Sequence, residues 1–280
     1  MRTTTGWRLQ IEHTTAFRYP APARASYNEV RQTPATTARQ TTLESRVLTT
    51  PGAPQYAYSD YWGTQVVAFN VDRPHHELDV LGISLVETQP AAEPPTATWD
   101  EVNAASDRHA ELLAPSRYTQ ADASLEALAA ELRKATPVDT IEAVVGWAND
   151  SLDYVRGVTD VHTSAVEAFG AGRGVCQDFA HLALTVLRSG GIPARYVSGY
   201  FYPDEDGSVG AGMVAESHAW VEAWAGEWWG LDPTNGVDID RRHVVVARGR
   251  DYADVPPVRG IYAGSAEHET SVTVRITRTR

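Results

Sequence analysis

Alternation of apolar and polar residues dominates the first ninety positions. In "WRLQIEH", Trp7, Leu9 and Ile11 fall on one side, and Arg8, Gln10 and Glu12 on the other. Further apolar or β-branched runs ("LESRVLTT", "TQVVAFNV", "ELDVLGISLVET") are separated by Pro, Gly, Asn and Asp, the rhythm of a small antiparallel sandwich. The stretch "TQPAAEPPTATW" then reads as a linker. Beyond it the period lengthens to that of helices: Leu125, Leu128 and Leu132, then Ile141, Val144, Val145 and Leu152. A third helix after Cys176 carries Phe179, Leu182, Ala183, Val186 and Leu187 on one face, and Gly190, Gly191 and Pro193 end it.

Strand patterns return in "ARYVSGYFY" and in "SHAWVEAWAGEWWGLDPTNG", which predicts a hairpin turning at Ala225, Gly226 and Glu227. The closing "SVTVRITRTR" predicts a strand with Val272, Val274 and Ile276 on one face. The fold class expected is α+β: a β-sandwich over 1–90, a linker over 91–117, and a catalytic core over 118–280 that includes the last strand.

Composition narrows the chemistry. The chain has 280 residues, 42% of them hydrophobic and 21% charged, as in an ordinary globular protein. With 24 basic against 36 acidic residues, a net charge of −12 makes nucleic acid and anionic membranes poor partners. A single cysteine excludes an intrachain disulfide and a cysteine-cluster metal site. No apolar run has the length of a signal peptide or a membrane span, so a cytoplasmic protein is expected.

That cysteine, Cys176, opens a helix after the glycines of "GRGVC". A helix start carries a partial positive charge and unpaired N–H groups, which favour a thiolate and hold an oxyanion. A buried, inert cysteine fits the same position if no base accompanies it. His218 supplies one: it lies in the hairpin strand opposite in facing to Ala219, Val221 and Ala223, which are suited to the core. If Trp224 opposes Trp228 across a three-residue loop, Trp220 pairs with Asp232, and His218 sits one diagonal from Asp232, within about 8 Å between Cα atoms. A two-residue loop would put Asp232 on the other face. Cys176, His218 and Asp232 thus satisfy the nucleophile, base and orienting carboxylate of a catalytic triad.

Other candidates are weaker. His75 and His76 are neighbours in a strand and face opposite ways, so they do not share a metal. "DEDG" at 204–207 is a solvated turn with too few spaced ligands for calcium. Asp178 suits the helix dipole, and Gln177 has no derivable role. The tryptophans at 220, 224, 228 and 229 are expected to divide between lining a groove and stapling the hairpin. No phosphate loop is present, and no cofactor or metal is expected.

"GRGVCQDFAHLALTVLRSGGIPARYVSGYF", "ESHAWVEAW" and "WWGLDPTNG" together resemble the core of the transglutaminase-like superfamily, nearest its bacterial cysteine-peptidase branch. "ARGRDYADVPPVRGIYAG" is similar to that branch's C-terminal signature. "HTTAFRYPAPARASYNEVRQTP" and "SDYWGTQVVAFNV" resemble its N-terminal β-domain. The resemblance implies a papain-like arrangement with Cys176 as nucleophile, His218 as base and Asp232 as orienting carboxylate. It implies acyl transfer from a protein or peptide amide through a thioester, with hydrolysis expected ahead of amine transfer by a transglutaminase or amide ligase. A non-catalytic peptide-binding or scaffolding module is the remaining alternative. The second oxyanion donor of animal transglutaminases, an upstream Trp, has no fixed counterpart: Trp147 and Tyr154 both fit a buried helical stripe better.

Overall fold

The computed structural model describes residues 6–264 and 267–280. The N-terminal third consists of strands β1 (Trp7–Ala23), β2 (Ala25–Val30), β3 (Gln40–Thr50), β4 (Gln55–Ser59), β5 (Gln65–Val71) and β6 (His75–Thr88). Along the first half of β1 the alternation is realised: Trp7, Leu9, Ile11, His13 and Thr15 are buried, and the residues between them are partly open.

Residues 89–98 run without regular structure into helices α1 (Trp99–Ala104) and α2 (Ala110–Leu113). Part of the linker expected over 91–117 is therefore helical. Thr98 and Glu101 close a reciprocal capping box at its start, a local signal stronger than the Pro-rich composition around it. Then follow α3 (Ala123–Glu131), α4 (Pro137–Ser151), the short strand β7 (Asp153–Tyr154), α5 (Ala165–Ala171), the short strand β8 (Arg173–Gly174), and α6 (Cys176–Ser189). Strands β9 (Ala194–Phe201), β10 (Gly212–Ala215), β11 (Ser217–Trp224), β12 (Trp228–Asp232), β13 (Val237–Asp238), β14 (His243–Gly249), β15 (Val258–Ala263) and β16 (Glu269–Arg278) complete the chain.

α6 is buried nearly all round. Besides the predicted apolar face, Ala180, His181, Leu184, Thr185 and Arg188 are also enclosed, because α3, α4 and α5 cover one side and the sheet β13-β12-β11-β9-β14 the other. The buried Arg188 donates to the carbonyls of Ala194 and Arg250, tying the end of α6 to the segment after β14. The backbone N–H of Tyr252 in that segment donates to Nε2 of His181 at 3.2 Å.

The last two strands do not join the sheet β13-β12-β11-β9-β14, as a separate 118–280 unit requires. β16 pairs along its length with β1, β15 pairs with β2, and even β10 joins β16. Two sheets result, ordered β10-β16-β1-β6-β3 and β15-β2-β5-β4. Burial explains the exchange: Val274 and Ile276 are fully buried with Leu9, Ile11 and Tyr200 in one core that runs from β1 to α6. Val272, one step along the expected face, lies beyond that cover and is 53% exposed.

Candidate active site

Gly172 ends α5 in the left-handed region (φ 65°), and a side chain at Gly174 would come within 2.6 Å of Asp178 Cβ. This close turn delivers Cys176 as the first residue of α6, half-buried. Asp178 accepts from the Val175 N–H at 2.8 Å and the Thr159 hydroxyl at 2.7 Å, which fixes the first turn. Burial nevertheless pushes its carboxyl above the usual range, these hydrogen bonds offsetting only part.

The hairpin has the register that the site requires: Trp224 faces Trp228 across Ala225, Gly226 and Glu227. His218 Nε2 accordingly lies 2.7 Å from Asp232 Oδ2, and the imidazole shares its cleft lobe with Cys176. With Nε2 turned to Asp232, Nδ1 is the nitrogen left for the sulfur. Burial alone would lower the His218 pKa; the bond to Asp232 and the neighbouring Cys176 outweigh it and raise it to about 10. Asp232 is completely buried. Burial would raise its pKa, but the donors His218 and His243 hold it well below the carboxylate range.

Two partners of Asp232 escaped the sequence reading. Asn235 donates its amide to Oδ2 at 2.6 Å, while the N–H groups of Thr234 and Asn235 donate to Oδ1 at 2.9 and 3.2 Å. The turn in "DPTNG" was the available signal: an Asx turn presents these donors. His243 Nε2 lies 3.3 Å from Oδ2, and its Nδ1 accepts the Asp240 N–H, so the Nε2–H tautomer faces Asp232. His243 enters through β14, which pairs with β9, and no local pattern announces it.

Other expectations part company with the structure. His218 shares its strand face with Trp220 and Glu222, but both are buried rather than open to a cleft. Trp220 packs with Val197 and Val245, and Glu222 pairs with Arg195 and Arg248. Only the His218 end of that face reaches the cleft. None of the four hairpin tryptophans lines it: Trp229 is core, and Trp224 and Trp228 stack with each other and His109. Trp147 packs on Phe169 as expected, whereas Tyr154 lines the cleft. α4 stops at Ser151, so Tyr154 leaves the helical stripe and pairs with Gly174 instead. Gln177 is buried at the cleft wall. His75 and His76 bond backbone carbonyls at the start of β6, and Asp204 accepts the Asp206 N–H within its turn.

Cys176 and His218 open into a cleft lobe of about 510 Å³, joined to a second of about 460 Å³ by Tyr154, Arg156, Glu216, Ser217, His218 and Val272, which line both. The first lobe lies between α6 and the N-terminal sheet, with Phe17, Thr270 and Val272 on one wall and Tyr196 and Tyr252 on another. Tyr196 belongs to the same electrostatic neighbourhood as Cys176; burial above all pushes its phenol well up, so it stays protonated. His218, Asp232 and His243 place ligand atoms within 4.8 Å of one another. Hydrogen bonds between those same atoms already account for the cluster.

Comparison with known proteins matches residues 126–233 to the transglutaminase-like superfamily and 9–87 to the bacterial transglutaminase-like N-terminal region. An uncharacterized protein of Mycobacterium leprae is 46% identical over 277 residues, covering 97% of this chain and 99% of that one. A protein-glutamine gamma-glutamyltransferase of Pseudomonas aeruginosa is 38% identical over 78 residues, 26% of this chain and 12% of that enzyme. Among solved structures, one described as "a Putative Cysteine Protease from Cytophaga hutchinsonii" superposes with a TM-score of 0.80 at 24% identity, over 99% of this chain and 92% of that one, a likeness of fold.

Proposed function

The chain belongs to the transglutaminase-like superfamily, and from that premise we propose that it is a cysteine-dependent acyl-transfer enzyme acting on peptide or glutamine amides, with water as the usual acceptor. One observation carries the reading: a single imidazole at the cleft edge is hydrogen-bonded to the enclosed carboxylate of Asp232 and shares its cleft lobe with Cys176. In this reading the His218 imidazole takes the Cys176 thiol proton, the sulfur adds to the amide carbonyl, and the tetrahedral oxyanion is held by N–H donors at the start of α6. As the carbonyl re-forms, the C–N bond breaks and the His218 imidazolium gives its proton to the departing amine. Water then adds to the thioester with His218 as base, releasing the acid and restoring the thiol form of the pair. Asp232 keeps the ring oriented and stabilises its charged form. We read the paired N-terminal sheets as a small sandwich that walls the cleft.

Water leads as acceptor because it is always present, whereas amine transfer needs a dedicated acceptor site from which water is excluded. The similarity to the Pseudomonas aeruginosa glutamyltransferase favours amine transfer as the second reading. Incubating the protein with a glutamine peptide and labelled hydroxylamine separates them. Free acid and ammonia without incorporated label support hydrolysis; label in the peptide supports transfer. Neither product, or products undiminished in Cys176→Ala, would sink the enzymatic reading and leave a binding module.

A further inference from the structure

β16 is paired unequally on its two edges. Toward β1 it is bonded from Glu269, opposite Arg18, to Arg278, opposite Leu9. On the other edge β10 covers only four positions, from Ala215 opposite Val274 to Gly212 opposite Thr277. The chain then turns away through Glu216 and enters β11, where Ser217 pairs with Tyr200. Among the described residues nothing pairs with Glu269–Thr273 on that side, and all five are exposed.

This open edge lies at the reaction centre. Thr270 and Val272 line the lobe that holds Cys176 and His218, and Val272 and Thr273 line the adjoining one. Natural proteins guard such edges with Lys, Pro or bulges, because unpaired N–H and C=O groups invite another strand. "ETSVT" contains neither Lys nor Pro, and its Glu stands at the far end. Across the cleft, the segment after Tyr154 presents Val161, 46% exposed. Val161 and Arg156 line the groove directly. The groove thus has a main-chain edge on one wall and apolar side chains on the other.

We propose that the acyl donor is an extended polypeptide segment that adds as a strand to β16 at Glu269–Thr273, in line with β10, and is thereby drawn past Cys176. This rests on Cys176 being the acyl acceptor, as proposed above. A main-chain edge bonds main chain whatever the side chains, so it selects extended polypeptide over small amides, while the opposite wall takes alternate apolar side chains. The Arg156–Glu216 pair (3.4 Å) crosses between the lobes with side chains 70% and 56% exposed, and an exposed pair of this kind gives way readily to a bound chain.

The test uses the full chain and its single cysteine. Chloroacetone and an acetylated pentaalanyl-glutaminyl chloromethyl ketone both alkylate Cys176 by displacement of chloride, so each label is assigned by mass alone. Relative to free cysteine, the peptidyl reagent is expected to label at least tenfold faster than chloroacetone. N-methylating alternate amides of the probe should remove that advantage in one of the two registers. After labelling, hydrogen exchange of the outward amides of Glu269–Thr273 should slow at least tenfold with the peptide and stay unchanged with the acetonyl group. Equal normalised rates for the two reagents, or an attached peptide that leaves those amides unprotected, would overturn the proposal. Failure of the acyl-transfer reading is seen separately, as turnover that survives Cys176→Ala.

Discussion

Two buried carboxylates on one hairpin meet opposite partners. Glu222 on β11 is held by Arg195 Nε at 2.7 Å and by Arg248 Nε and Nη2, each at 2.8 Å. Asp232 on β12 is held by His218, His243, the Asn235 amide and two backbone N–H groups. Burial would raise the pKa of both; in each the partners win, lowering Glu222 to about 2 and Asp232 further. Guanidinium does not surrender its proton near neutrality, so the Glu222 cluster has nothing to transfer and serves as a brace. Imidazole does, and the Asp232 cluster adds the two things a brace lacks: a donor that titrates, and a cleft that also holds Cys176, the proposed nucleophile. Depth of burial and strength of pairing do not separate structural from chemical charge here; the kind of cation does.

The largest effect expected follows from that difference. Cys176→Ala should lower amide turnover by at least a thousandfold with the urea midpoint little changed, His218→Ala should do nearly as much, and the double variant no more than either. Losses that multiply in the double variant would break the pairing of the two residues. Glu222→Ala should do the reverse. Leaving two half-buried guanidinium groups unpaired costs up to about 3 kcal/mol of stability, read from urea unfolding. Alkylation of Cys176 by iodoacetamide in the folded fraction should then stay within about twofold of wild type. A folded Glu222→Ala protein with an unreactive thiol would erase the distinction. Asp232→Asn comes next: the amide presents N–H where the imidazole needs an acceptor, and a loss of about 10²–10⁴-fold in kcat is expected.

The two clusters should also separate by pH. Glu222 and Asp232 have folded pKa values below their unfolded ones, so each contributes stability that is present above about pH 4.5 and is lost as pH falls. His218 is raised, so its contribution is complete below about 6.5 and is lost as pH rises toward 10. The alkaline limb of kcat/KM should lie near pH 10 rather than at an ordinary imidazole value, because in the proposed mechanism the charged ring protonates the amine. His218→Ala should remove the alkaline decline in stability and shrink the Asp232 share of the acid limb, leaving the Glu222 share in place. An alkaline limb near 6.5 would mean that Asp232 and the neighbouring Cys176 do not hold the charged ring.

What can be read in advance tracks sequence distance. Hairpin register is local, so Trp224 opposite Trp228, and with it the meeting of His218 and Asp232, follows from a few adjacent residues. The cysteine helix and its stop at Gly190 and Gly191 are local for the same reason. Pairings across most of the chain leave no such trace. Val274 opposite His13, or His243 opposite Phe201, depends on which strand a sheet recruits, and alternation is silent on that. This is why alternation alone leaves the last strand with the catalytic sheet, and why it turns Trp220 toward a cleft when the strands around it enclose it. Tyr154 shows the same limit at short range: three residues past the end of α4, a helical stripe no longer describes where its ring points.

His243 offers the smallest and most discriminating test, because it belongs to both halves of the comparison. It bonds Asp232, yet it also lines the cavity that Glu222, Arg195 and Arg248 line. If it acts through Asp232, removing its Nε2–H leaves the carboxylate one donor short and free to shift, and the imidazole of His218 follows. His243→Leu should then reduce kcat about tenfold, or ~1.4 kcal/mol of barrier, with KM nearly unchanged. His243→Gln, which restores an N–H donor, should recover part of the loss. If it is only packing against Trp220 and Phe201, both variants should lower the unfolding midpoint while kcat of the folded enzyme stays constant. A shift of the alkaline limb toward lower pH in His243→Leu, absent in Glu222→Ala, would place His243 on the chemical side, since only a change at Asp232 weakens the hold on the charged His218 ring.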